Sequence, residues 1–106
     1  MSVRVPEDLY YYTGEKPPPL PCRYEDDDGV LITSIAGTVL AAKCSIDGAA
    51  ETSVTCTNND NGTFTIDWNT TTSDFTVAGS MKIDVLVTDS PREWYMNRFS
   101  IPVRER

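Results

Sequence analysis

Asn58-Asn59-Asp60-Asn61-Gly62-Thr63-Phe64-Thr65-Ile66-Asp67-Trp68 is the stretch whose reading decides the fold. Phe64, Ile66 and Trp68 alternate with Thr63, Thr65 and Asp67, a period of two that places the apolar side chains on one face of a strand. The polar run ahead of it ends in Asn-Gly, which accepts the positive φ that a tight reversal requires. The same period recurs on both sides. Towards the N-terminus, Leu20, Cys22 and Tyr24 alternate with Pro21, Arg23 and Glu25; Leu40, Ala42, Cys44 and Ile46 share a face; and Val54 and Cys56 share another after the Asp47-Gly48 turn. Towards the C-terminus follow Phe75 and Val77, then Met81, Ile83, Val85 and Val87, then Phe99, Ile101 and Val103. No window carries a sustained helical stripe. Short alternating segments with turn signals every eight to twelve residues predict an all-β domain over residues 20–106, an antiparallel β-sandwich of about seven strands. Its core is expected from the inward faces of Leu40–Ile46, Phe64–Trp68 and Met81–Val87. Pro102 cannot donate to a ladder and is expected at an edge or with its nitrogen turned to solvent.

Residues 1–19 have a different texture. Tyr10-Tyr11-Tyr12 leads through Thr13-Gly14-Glu15-Lys16 to Pro17-Pro18-Pro19. Consecutive prolines lack backbone donors and hold the chain near polyproline II, so this segment reads as an extended arm or first edge strand outside the core. Either it drapes over its own domain or it reaches a neighbour with the tyrosines as amphipathic anchors. Removing it is expected to leave a folded domain and to weaken assembly.

Composition excludes several classes of function. Sixteen acidic against nine basic residues give a net charge of −7, the wrong sign for neutralising phosphates, so no nucleic acid is expected as partner. The chain has no histidine, which removes the usual general base and the commonest zinc ligand together. Carboxylates at Glu51, Asp67 and Asp84 fall on outward strand positions without sign of a cleft, and no enzyme activity, cofactor or metal is expected. Cys22, Cys44 and Cys56 are odd in number with no C-x-x-C spacing and read as reduced, buried side chains. Glu25-Asp26-Asp27-Asp28-Gly29 reads as a solvated turn; its consecutive carboxylates lack the alternate spacing of a calcium loop. No apolar run is long enough for a membrane span, no secretory signal is read at the N-terminus, and folding in a cytoplasm is expected.

Two further features concern contact. Trp94 and Tyr95 are adjacent, so strand alternation turns one of them away from the core: Trp94 could cap the core with Tyr95 across the sheet, or one could be a contact point. Arg92, Arg98, Arg104 and Arg106 against Glu93 and Glu105 make the C-terminal end basic on an otherwise acidic body, a complementary field for copies of itself or an acidic partner, or a charged protected edge.

Taken in order, Tyr12-Thr13-Gly14-Glu15 with Pro18-Pro19-Leu20, the acidic turn of Tyr24–Gly29, Ser34–Val39, Gly62–Trp68, Ala78-Gly79-Ser80-Met81 leading into Asp84–Asp89, and the closing Phe99–Val103 resemble the immunoglobulin-like domain found at the N-terminus of the tailed-phage baseplate upper protein and in short stand-alone virion proteins. Met81 departs from the aromatic usual after that glycine. The resemblance implies an immunoglobulin-like sandwich and a non-enzymatic structural component of a virion assembled in the host cytoplasm. Its implied partners are other phage virion proteins of the baseplate, tail, neck or capsid surface, in a symmetric multi-copy assembly. Tyr10, Tyr11, Tyr12, Pro17, Pro18, Pro19, Trp94 and Tyr95 are then the expected contact residues. A carbohydrate- or surface-binding module using Trp68, Trp94 or Tyr95 as a stacking platform, with calcium at the acidic turn, is the alternative; an excised repeat of a cell-surface adhesin is a third reading.

Overall fold

The computed structural model describes residues 1–106 and is all-β, with about half of the chain in strands and no α-helix. Nine strands follow in order: β1 (Ser2–Arg4), β2 (Tyr11–Tyr12), β3 (Leu20–Glu25), β4 (Val39–Ile46), β5 (Thr52–Asn58), β6 (Thr63–Asp67), β7 (Gly79–Asp89), β8 (Arg92–Tyr95) and β9 (Phe99–Arg104), with one 3-10 turn at Thr33–Ile35. They form a single hydrogen-bonded path, β1-β3-β6-β5-β4-β7-β9-β2, and β8 joins β7 on the flank that β9 also uses. The sheet is mixed rather than wholly antiparallel. β2 runs alongside β9 in the same direction, Tyr11 opposite Val103 and Tyr12 opposite Arg104. Pro102 stands one residue ahead of that short ladder, where its missing N–H breaks no pairing with β2.

The path curls into a half-barrel. The Trp68 indole N–H, just past β6, donates to the Tyr11 hydroxyl on β2 at 3.2 Å. Tyr24 on β3 lies 6.3 Å from Trp94 on β8, centroid to centroid. The Asn97 side-chain amide donates to the Met1 carbonyl beside β1. These elements are far apart along the path, and only strong curvature brings them together. The concave face carries one cluster of 21 buried side chains, including the expected inward sets of β3, β4, β6, β7 and β9. Each large aliphatic or aromatic side chain so buried contributes about 1.5–3 kcal/mol, which is what holds the curl closed.

Two loops show how local sequence fixes the reversals. Asp47 and Gly48 both have positive φ (37° and 83°), and Ala49 N–H closes the turn on the Ile46 carbonyl at 2.8 Å. In the β5–β6 loop, Asn58 donates through Nδ2 to the carbonyls of Ile35 (2.9 Å) and Thr38 (3.0 Å), tying the 3-10 turn to the hairpin. Gly62 sits at φ 89°, and a Cβ there would lie 2.9 Å from Leu31 Cβ. Only glycine fits.

β8 and β9 are one long strand interrupted by a bulge. Tyr95 faces Leu86 and Phe99 faces Ile83, so Met96, Asn97 and Arg98 stand opposite only Asp84 and Val85. The extra residue shifts the alternation. Trp94 and Met96 share the inner face before it, Phe99, Ile101 and Val103 after it, and Met96 is buried with its N–H on the Val85 carbonyl.

The N-terminal segment takes the edge-strand form of the expectation, with β1 and β2 at the two ends of the path, but it does not lie outside the core. β1 pairs with β3 from Ser2 opposite Glu25 to Arg4 opposite Arg23, and Val3, Val5 and Leu9 pack on the cluster. Tyr11 is 6% exposed, inside it. The reason is parity: within Tyr10-Tyr11-Tyr12 only the middle side chain faces inward, where Phe75 lies 4.5 Å away and Trp68 5.6 Å away.

Candidate contact surface

The tyrosine run therefore divides. Tyr11 is structural, its hydroxyl pKa raised first by burial and lowered in part by the Trp68 hydrogen bond. Tyr10 and Tyr12 stay exposed on the outer side of β2, with rings 5.4 Å apart edge to face. The Arg104 guanidinium sits 3.9 Å over the Tyr10 ring, a cation–π contact that fixes both groups at the rim. Edge pairing is blunted here. Tyr12 N–H donates to Glu15 Oε1 at 2.6 Å, and Gly14, at φ 83°, turns the chain so that this carboxylate reaches back. Beyond it, Pro18 and Pro19 are exposed and Pro17 half-buried, on the link to β3.

Trp94 and Tyr95 lie elsewhere, on β8. Trp94 shares the face of Val87, leans on Tyr24 and keeps 39% of its surface exposed at the open end of the core; Tyr95 points outward, 56% exposed. The bidentate pair of Arg98 with Asp84 (2.9 and 2.8 Å) holds the bulge beside them, and that hydrogen-bonded carboxylate raises the Arg98 pKa further. The structure does not bring the eight expected contact residues into one patch. It divides them: Tyr10 and Tyr12 sit with Arg104 at one rim, Pro17–Pro19 lie on the link to β3, and Trp94 and Tyr95 face opposite sides of β8.

Sequence reasoning missed a third element. Ala41, Leu86 and Tyr95 lie in one outward row across β4, β7 and β8, with Val39 in the adjacent row opposite Thr88. Val39 is 67% exposed. The signal was an apolar residue at the polar phase of its strand, as Leu86 is between inward Val85 and Val87.

The acidic turn, Glu25 and the cysteines serve local structure. Asp26 Oδ1 accepts from the N–H groups of Asp28 (2.9 Å) and Val30 (3.0 Å), closing the acidic turn on itself. Glu25, nearly buried, is flanked by Arg23 Nε at 2.8 Å and Arg4 Nε at 3.3 Å. The three cysteines are free; Cys22 and Cys44 are buried, Cys56 partly so, and burial pushes each thiol up to about 12. They are packing groups, not nucleophiles. Trp68, expected as one member of a stacking platform, is 4% exposed and hydrogen-bonded inside the core, so it offers no face to a ligand. No protein-family model, curated protein or solved structure matches this chain.

Proposed function

We propose that this chain works by contact: a non-enzymatic structural component of a tailed-phage virion that docks on or joins larger virion proteins. The observation that carries the reading is a pair of exposed aromatic surfaces on one curled sheet, Tyr10–Tyr12–Arg104 at one rim and Tyr95 with the Ala41–Leu86 row on the outer face, with Trp94 part-exposed on the inner face. Tyrosine, tryptophan and arginine are the residues that anchor protein interfaces, because they bury large areas at small cost in side-chain entropy. The virion assignment draws on the ordered segments from Tyr12 to Val103 that resemble the phage immunoglobulin-like family. An immunoglobulin-like two-layer sandwich belongs to the same reading; the contacts Tyr11–Trp68 and Tyr24–Trp94 across the core support facing layers β1-β3-β6-β5 and β4-β7-β9-β2.

The test is incorporation into particles. The chain is expected in purified virions of the phage that encodes it, and a Tyr10→Ser/Tyr12→Ser double variant, which leaves Tyr11 in the core, is expected to be depleted from them. Absence of the unaltered chain from purified particles would overturn the reading.

A further inference from the structure

At the end of the half-barrel opposite the acidic turn, a cleft of about 270 Å³ opens between the inner face of the sheet and two loops. Its apolar floor is formed by Cys44, Ile46 and Met81, with Ala49 and Ala50 of the β4–β5 loop beside it. Its polar wall is the segment from Asn69 to Thr76. The mouth of a curled sheet is a common place for small ligands, and this volume suits one sugar ring.

The polar wall holds unused hydrogen-bonding capacity of both signs. Asp74 Oδ2 accepts the Asn69 N–H at 2.8 Å, which fixes the carboxylate, while Oδ1 has no partner in the protein. Asn69 Oδ1 caps Thr71 (2.9 Å) and Thr72 (3.3 Å), which orients the amide and leaves its NH2 group undirected to any protein acceptor. The hydroxyls of Ser45 and Thr72 also make no protein hydrogen bond, and no lysine or arginine lines the cleft. A fixed carboxylate acceptor beside a fixed amide donor is complementary to vicinal hydroxyl groups, each of which donates once and accepts once. The floor side chains are all but buried, so exposed Ala49 and Ala50 supply the small apolar surface against which the C–H face of a pyranose would lie. An anion would meet Asp74 with nothing to offset it, and a flat aromatic would leave the polar wall unpaired.

We infer that this cleft is a binding site for a single neutral sugar ring, with Asp74 and Asn69 holding adjacent hydroxyls and Ala49 and Ala50 against its apolar face. This site is separate from the aromatic contact patches and does not rest on the contact reading. No aromatic side chain lines the cleft, so its affinity is low, with Kd on the order of 1 mM.

The experiment is an amide-resolved NMR titration of the full chain with the methyl glycosides of glucose, mannose and galactose, each to tens of millimolar. At least one should shift the amides of residues 49–53 and 69–76 with saturation, and leave those of Trp94 and Tyr95 in place. Asp74→Asn is expected to weaken that binding at least fivefold. Because Asp74 also caps the loop, Thr72→Val serves as a second variant, expected to weaken binding about twofold without touching a protein hydrogen bond. Shifts with none of the three glycosides, shifts confined to Trp94 and Tyr95, or equal affinity in both variants would each overturn the inference.

Discussion

Two aromatic groups of similar size behave in opposite ways. Tyr11, Trp68 and Phe75 meet edge to face or tilted, with centroids 4.5 to 5.6 Å apart, and all three are buried. Tyr10, Tyr12, Trp94 and Tyr95 are each more than a third exposed. Composition does not separate the groups, since tyrosine and tryptophan occur in both. Strand parity does: one step along Tyr10-Tyr11-Tyr12 moves a ring from solvent into the core. The first group joins the end of β6 to the last strand of the sheet, and the second is free to join this molecule to others.

The sharpest break of that contrast is removal of residues 1–19. This deletes β1, β2 and Tyr11 and uncovers Trp68 and Phe75. Several buried apolar side chains at about 1.5–3 kcal/mol each exceed the usual margin of a domain this size, so the truncated chain is expected to lose cooperative thermal unfolding. A sharp, unshifted transition would show that the segment is a mere arm.

Phe75→Ala comes next. Phe75 is fully buried between two rings, and its truncation is expected to cost about 3–5 kcal/mol in urea denaturation. Deleting Asn97 is a milder challenge, because it removes the extra residue of the bulge. Met96 and Phe99 then fall two positions apart, so β8 and β9 can join in one regular ladder along β7 with Trp94, Met96 and Phe99 kept on the inner face. A loss of about 1 kcal/mol or less is expected in urea denaturation, with Trp94 fluorescence nearly in place; a larger loss with a red shift would show that the bulge itself holds Trp94 and Met96 inward.

The thiols give a pH test of the same core. In the folded chain they keep their protons up to about 12, against an ordinary value of 9.0. Between those values the unfolded chain has released protons that the folded chain still holds, so stability present below pH 9 is lost as pH rises towards 12. The urea midpoint should therefore fall between pH 8 and pH 10.5, and a Cys22→Ala/Cys44→Ala/Cys56→Ala variant should show a smaller fall. The smallest effect belongs to the exposed group: Tyr95→Ser is expected within about 0.5 kcal/mol of the parent by the same denaturation.

Much of the sheet could be read from alternation alone. The inward sets at Leu20–Tyr24, Leu40–Ile46, Phe64–Trp68 and Met81–Val87 are the core of the structure, because a half-buried strand must show its period in the sequence. The Asp47-Gly48 reversal was legible for the same local reason. β1 and β2 were not, since two or three residues are too few to show a period and their pairing depends on β3 and β9, distant in sequence. The bulge was hidden as well. Met96 and Phe99 are both apolar and stand three positions apart where alternation expects two or four; that mismatch was the available signal. At the contact surface, the candidate residues were identifiable by type, but which of three consecutive tyrosines faces inward needs an outside reference, here Val103 on β9.

Urea denaturation of Tyr11→Ala beside Tyr12→Ala tests the division between structural and contact aromatics most directly. Tyr11→Ala is expected to lose about 3 kcal/mol or more, because it empties a site packed by Trp68 and Phe75, while Tyr12→Ala leaves the midpoint nearly in place. Equal losses from the two, or a larger loss from Tyr12→Ala, would contradict it.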